Sequence, residues 1–451
     1  MAQNTSLFSA YVDKFFKGFV GRFTELFNGK REEPTYMYTS MLTEEYTPDL
    51  TWNSTSLNNS IVAADVVSMD SSLPLKKRGT ISRASGDVAK LGMKLMLKEK
   101  QISDIMVMES KGQQEADIAR RVLDNVPKVI NGIHTRVEIM FEQALSSGQL
   151  LIEGEDNEGT GIRVDFGYKD ANRFHAIAAP WTTTATATPL DDIRQMFDAA
   201  SANSDTIGDV YMSEAYFNLA RKTAQVKELV AAANDQVITA SSSLPVPNRT
   251  RTLSALEDEF GATFHIVNNS YKVENAAGVQ APVKPWVQGN IVGVPSANVG
   301  RLVYGTLAED MNRVAGVSYQ NSGFILVSEY SHNEPSLAEF TAAQALVMPV
   351  IDDGAHIYVL DANAAGSVAV APDSLEFAAK GGTKKVSVDA NTFSATSSAA
   401  WASVTPGTKS FKVTAAANTG AARNAVITIT DGAESSPATL AIVTVEQEAG
   451  E

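Results

Sequence analysis

Five histidines, His134, His175, His265, His332 and His356, and one run of acids, Glu153, Glu155, Asp156 and Glu158, are the residues from which a metal site or an acid–base centre would have to be built. Zinc recruits histidines held one helical turn apart or beside a Glu-x-x-His pair, and none of the five has such a neighbour. His134 falls in a helical pattern and reads as a structural or solvated residue. The acidic run could attract calcium, but it lacks the alternating oxygen ligands and closing bidentate glutamate of an EF-hand loop, so it reads as a polar turn. Asp352-Asp353-Gly354 reads the same way. With no cysteine in the chain, thiolate nucleophiles, zinc–thiolate sites and disulfides are excluded. No phosphate-binding loop, dinucleotide fingerprint or nucleophile elbow is present. The expectation is a protein without catalytic residues, metal or cofactor.

Composition narrows the class further. The chain has 451 residues, too many for one compact core, which suggests two or three domains. Its net charge of -15 opposes tight non-specific nucleic-acid binding, which needs surplus Lys and Arg to displace counterions. The longest apolar runs, such as Leu346–Ile351, fall far short of the roughly 20 residues that span a bilayer. The first 30 residues interleave aromatics with lysines and do not resemble a secretory signal.

Elements must then carry the function through their surfaces. Phe8, Tyr11, Val12, Phe15, Phe19, Phe23 and Leu26 recur at spacings of three and four, with Phe16 and Phe27 widening the face, which predicts an amphipathic helix. Packing against protein is the preferred reading, and a membrane-surface helix is the alternative. Residues 31–60 carry Pro34 and Pro48 with little periodicity and read as an arm. Ile61–Met69 and Leu91–Leu97 read as two strands of a long hairpin whose tip holds Lys76, Lys77, Arg78 and Arg83. Such a hairpin is marginal alone and has to lie on another surface. Gln113–Ser147 is helical with a break expected at Pro127, and Gly148 supplies a left-handed cap. Leu150–Glu153 and Ile162–Phe166 form a hairpin, and a mixed α/β region runs to about Gly323. A helical turn is expected after Pro335. From residue 375 short alternating strands appear, Leu375/Phe377, Val386/Val388, Phe411/Val413, Ile427/Ile429 and Val443/Val445, predicting an immunoglobulin-like sandwich. Trp401 is either its core anchor or a platform for stacking a sugar.

Two sets of motifs carry a family resemblance. Arg136–Gly148 (RVEIMFEQALSSG) leading into Val164-Asp165-Phe166-Gly167, and Gly300–Gly305 (GRLVYG) answering to Ile325–Tyr330, resemble the major capsid protein E family of tailed bacteriophages. Asn418–Thr430, Trp401 and Val443–Gln447 resemble the BACON domain. The resemblance implies an α+β chain with the HK-ninety-seven-type capsid fold plus an all-β C-terminal sandwich. It divides the chain into an N-terminal amphipathic helix and arm (1–60), an extended hairpin loop (61–98), a peripheral domain with a spine helix (99–171), an axial domain (172–323), a return to the peripheral domain (324–361), a linker (362–374) and the BACON-like domain (375–451).

It further implies self-assembly into hexamers and pentamers of an icosahedral head around double-stranded DNA, formed in the host cytoplasm, with portal, scaffold or cement proteins as further partners and no membrane. Lys76, Lys77, Arg78, Arg83, Phe15 and Phe19 are the candidate inter-subunit contacts, and Trp401 is the candidate glycan contact. An encapsulin-like compartment shell shares the fold and stands as one alternative. A cell-surface adhesin, which would need an export signal, is the other.

Overall fold

Pro127 stands in the first turn of the spine helix, Asn125–Ser147, rather than at its break. A first-turn residue has no intrahelical acceptor for its N–H, so proline costs nothing there. The preceding helix, Glu115–Val122, stops at Leu123 instead. The spine helix ends at Gly148, whose φ of 76° is left-handed, and a Cβ there would lie 2.6 Å from the Tyr168 ring. Glycine is required twice over at that position.

The computed structural model describes the chain apart from residues 1–4, 28–35, 58–80, 153–161, 234–243, 275–277, 297, 334–335, 353, 366–369, 373, 389–392, 408–409, 431–438 and 451. Among the described residues no helix is long and apolar enough to cross a membrane. Two compact units emerge, the first formed by Met1–Asp170, Asn268–Val287 and Val294–Ile357, the second by the remainder.

The first unit is organised by one long strand, Ala338–Ile351. This replaces the helical turn expected after Pro335. Ala343 and Ala345 are fully buried, and this small-residue stretch lets the spine helix pack on the strand. One edge of the strand pairs with Ile325–His332, and beyond that lies Ser318–Ser322. Its other edge is shared: Lys90–Leu97 takes one half and Gly300–Gly305 the other. Leu42–Tyr46 completes the sheet, parallel to Gly300–Gly305.

Several expectations are corrected here. Leu91–Leu97 lies in a strand that pairs with Ala338–Ile351, and its expected hairpin partner Ile61–Met69 lies outside the described residues. A two-stranded ribbon is made by Thr51–Leu57 and Ile81–Asp87, with Trp52 opposite Gly86. Trp52 is buried against Phe166 and fits over the ribbon because Gly86 has no side chain. The ribbon's root is therefore part of its own subunit's core. The described part of residues 31–60 contains the strands Leu42–Tyr46 and Thr51–Leu57, and the first of them joins the sheet. Gly300–Gly305 and Ser318–Ser322, assigned to the axial region, belong to this sheet.

The second unit contains a five-stranded sheet in the order Arg173–Ala176, Tyr358–Ala365, Asn290–Val294, Asp209–Ser213, Thr263–Val267. Tyr358–Ala365, placed in the return segment and linker by its sequence, is a buried strand of this sheet. Helices Pro189–Ala202 and Arg249–Phe260 flank the core, the second capped by the Asn248 side chain accepting from Arg251 N–H. Asp192 is fully buried and accepts hydrogen bonds from the Ile177 amide and the Trp181 indole, both at 2.7 Å. Burial raises its pKa to about 6.

The C-terminal sandwich has two four-stranded sheets, Val370–Ala371, Gly382–Val388, Ser410–Ala415, Ala402–Pro406 and Ser374–Phe377, Thr439–Gln447, Arg423–Thr430, Ser394–Ser397. All ten apolar residues expected to alternate inward are buried in one core.

Candidate functional site

No group of three or more His, Asp or Glu able to hold a metal occurs among the described residues. The histidines are dispersed among separate elements. His134 is buried on the spine helix, hydrogen-bonded to the Tyr38 hydroxyl and surrounded by Tyr36, Tyr38 and Phe324. Burial lowers its pKa to about 3, so it is neutral and structural. His265 pairs with Asp209 at 2.7 Å and stacks on Tyr211.

The candidate surfaces are accordingly those of contact. The N-terminal helix, Ser9–Phe27, lies on the first unit's own framework. Phe8, Val12, Phe16 and Val20, each four residues apart, are its buried edge, while Phe15 and Phe19 are only half-buried. The aromatic density of this segment supports two overlapping stripes, and the subunit uses one of them. Tyr11 hydroxyl donates to Glu109 at 3.0 Å and Lys14 pairs with Glu115, fixing the helix. Ahead of it the Leu7 amide donates to Glu339, 3.0 Å away, and Ser331 donates to the Thr5 carbonyl. Phe16→Asp should therefore loosen the subunit itself, by the loss of about 1.5–3 kcal/mol of ring burial plus the cost of a buried charge. Phe15→Asp with Phe19→Asp should leave the fold intact and act on assembly. Protease resistance of residues 5–27 in free subunits separates the two variants, and equal sensitivity would contradict the assignment.

Lys76, Lys77 and Arg78 lie outside the described residues. Arg83 falls in the strand Ile81–Asp87, opposite Thr55. Trp401 is half-buried against the sandwich core, with the Arg423 guanidinium carbon 4.4 Å from its ring centroid. Arg423 is itself held by Gln447 at 2.9 Å and by the Ala416 and Ala417 carbonyls. One face of the indole is thus occupied by a clamped cation and is closed to a pyranose ring.

The sequence reading missed a set of buried acids. Glu138 and Glu142, one turn apart on the spine helix, are both fully buried. Glu138 accepts from the Met37 and Tyr38 amides at 2.6 and 3.0 Å, and Glu142 from Asn269 and Tyr271. They thereby pin two remote segments to the helix. One carboxylate oxygen of Glu142 has no hydrogen-bond partner among the described residues, and the charge of Glu142 adds to the burial that raises Glu138. Glu329 and Glu339 are buried on neighbouring strands, the first bonded to Thr341, and burial raises both. The signal available in sequence was acids at positions 138 and 142 within the apolar stripe of RVEIMFEQALSSG.

Desolvation is the main cause that raises Glu138 from 4.5 to about 7. A carboxyl whose folded pKa exceeds its unfolded one stabilises fully below the unfolded value and loses that contribution as pH rises through the folded value. Glu138→Gln should therefore remove on the order of 3 kcal/mol of pH-dependent destabilisation between about pH 5 and 8. His134, lowered by burial, acts in the opposite sense as pH falls, so the difference between wild type and Glu138→Gln is the quantity to measure by denaturant titration. Parallel pH profiles would refute it.

Arg301, from the GRLVYG passage, gathers four strands and loops. Its Nε and Nη2 hold Asp352 at 2.5 and 2.8 Å, Nη1 pairs with Glu45, and Nη2 donates to the Asn53 carbonyl at 2.7 Å. These carboxylates raise its pKa, so it is cationic throughout the working range.

Comparison with known proteins gives the following. The family model described as phage major capsid protein E matches residues 27–351, and the BACON model matches residues 390–448. No curated protein matches the chain. An E. coli CFT073 prophage protein assigned as a capsid protein aligns at 15% identity and TM-score 0.46, over 80% of this chain and 99% of its own. A phage-related protein of Bordetella bronchiseptica RB50 aligns at 10% identity and TM-score 0.44, over 76% of this chain and 97% of its own. The cyanophage A-1(L) capsid aligns at 13% identity and TM-score 0.40, over 74% of this chain and 93% of its own.

Proposed function

The chain belongs to the phage major capsid protein E family, and from that membership we propose that it builds the icosahedral head of a tailed phage from hexamers and pentamers of itself, enclosing double-stranded DNA. It is a major capsid protein of the virion, a structural protein and not an enzyme, and it carries a C-terminal BACON domain. The family match over residues 27–351 is the single observation that carries the finer reading. The described surfaces accord with it: the N-terminal helix leaves Phe15 and Phe19 half-exposed, and the ribbon and the sheet edges offer further contact surface. Assembly would take place in the host cytoplasm with portal, scaffold or cement proteins. The acidic chain would not grip DNA tightly, so a packaged genome stays releasable.

Negative-stain imaging of the purified chain, alone and with its phage partners, tests this. Closed shells with fivefold and sixfold clusters are expected. Shells that enclose a protein cargo instead of DNA would support the encapsulin-like reading, and protein found only on a cell surface would support the adhesin.

The BACON match favours a second, binding role for the C-terminal domain, which we take to be weak glycan recognition made useful by copy number, since hundreds of linked sites convert millimolar affinity into retention. Trp401 can contribute only the face not covered by Arg423. Deleting residues 372–451 should leave shells intact and reduce their retention on mucin. Unchanged retention with reduced thermal stability would instead make the domain a cement.

A further inference from the structure

The two outer faces of the C-terminal sandwich carry opposite charges in matched positions. On the central strands of one sheet Lys385 stands directly opposite Lys412, and both are exposed. The other outward positions of its three longer strands are Ser and Thr, with no carboxylate among the described residues. On the other sheet Glu376 stands directly opposite Glu446, both exposed, on a face that has no cation among the described residues. None of the four makes an ion pair among the described residues. Like charges directly across a strand pair repel and destabilise the sheet. Each sheet therefore holds a local cost that an opposite charge from outside would relieve.

Diagonal to Glu446 on the same outer face, Val426 is 37% exposed, and Ile442, further along the strand, is 54% exposed. A lysine seated on Glu376 and Glu446 could lay its methylene stem over Val426 while its ammonium reaches the carboxylates.

We propose that the C-terminal domains of neighbouring copies associate head to tail, the Lys385–Lys412 face of one against the Glu376–Glu446 face of the next. The complementary face is present on every copy, which favours a second copy of this chain as the occupant over a separate anionic polymer. A contact between unlike faces is heterologous, so it closes into a ring or continues as a chain and does not stop at a dimer. This inference goes beyond capsid membership and does not depend on the shell being icosahedral.

The chain has no cysteine, so introduced thiols are unique. Full-length protein carrying Thr405→Cys and Thr444→Cys, one on each face, is treated with a flexible bismaleimide. A ladder of dimers, trimers and higher species is expected, while either single-cysteine variant alone gives none. Adding K385E and K412E, or E376K and E446K, should reduce the ladder about tenfold or more. Combining all four reversals should restore it, which also shows that the variants fold. The ladder should fade as salt rises above about 0.1 M. Absence of a ladder, single-cysteine dimers, or a ladder indifferent to reversal overturns the proposal. So does lysine-dependent capture on dextran sulfate beads without a ladder, which would assign the basic face to an anionic polysaccharide.

Discussion

Gly300→Ala should unfold or gravely weaken the subunit, although it adds one methyl group. A Cβ at this position would stand 2.0 Å from the Val350 carbonyl oxygen and 3.0 Å from its carbon. Those atoms are backbone and have no rotamer to retreat into, so the strand Gly300–Gly305 must draw away from Ala338–Ile351. The ladder that pairs Gly300 with Ile351 and Arg301 with Val350 opens first. Arg301 then loses its geometry on Asp352, and Leu42–Tyr46 loses the strand it pairs with. Overpacking alone costs about 1–3 kcal/mol, and broken pairing takes the loss to the upper end or beyond. Gly305→Ala is the matched control. Its Cβ would meet chiefly the end of the Leu50 side chain, which can rotate aside, so a much smaller loss is expected. Denaturant midpoints of the two soluble variants decide the matter, and equal midpoints would refute the backbone argument.

Reversing Lys76, Lys77, Arg78 and Arg83 to glutamate should abolish shell formation and spare the fold. The ribbon is anchored at its root by Trp52, which is buried opposite Gly86. In a protein of net charge -15 a cationic segment meets acidic surface on any neighbouring copy. Reversal replaces that attraction with repulsion, and at low salt the subunit should sediment as a folded, unassembled species. Residual assembly, if attraction elsewhere suffices, should appear where salt screens the repulsion between the new glutamates and their neighbours. Wild-type particle yields from the variant would eliminate this cationic segment as an assembly element.

Local pattern was readable wherever burial alternated within one element. The sandwich strands and the spine helix declared themselves because their partners lie on one side and impose a period. Leu42–Tyr46 did not, since only Leu42 of LTEEY is buried and the rest of the strand is held by backbone pairing. The pairing of Leu91–Leu97 with Ala338–Ile351 was not foreseen, because nothing in an alternating strand states which distant edge it will join. Ala338–Ile351 is buried on both faces and so has no period at all. On the N-terminal helix, the apolar character was evident, but the choice of Phe16 over Phe15 depends on the surface beneath. Gly300 and Arg301 were visible as a motif. That one is a close backbone contact and the other a four-way tie required coordinates.

The shared edge of Ala338–Ile351 also bears on synthesis. Leu42–Tyr46, made early, pairs with Gly300–Gly305, and both it and Lys90–Leu97 wait for a strand completed only at residue 351. During translation at about 5–20 residues per second, the early strands spend tens of seconds without their partners. Nascent subunits on one message are close together, so exposed edges then are a hazard. The same arrangement is also a timer: the sheet cannot close, and a competent subunit cannot exist, until nearly the whole capsid region has left the ribosome.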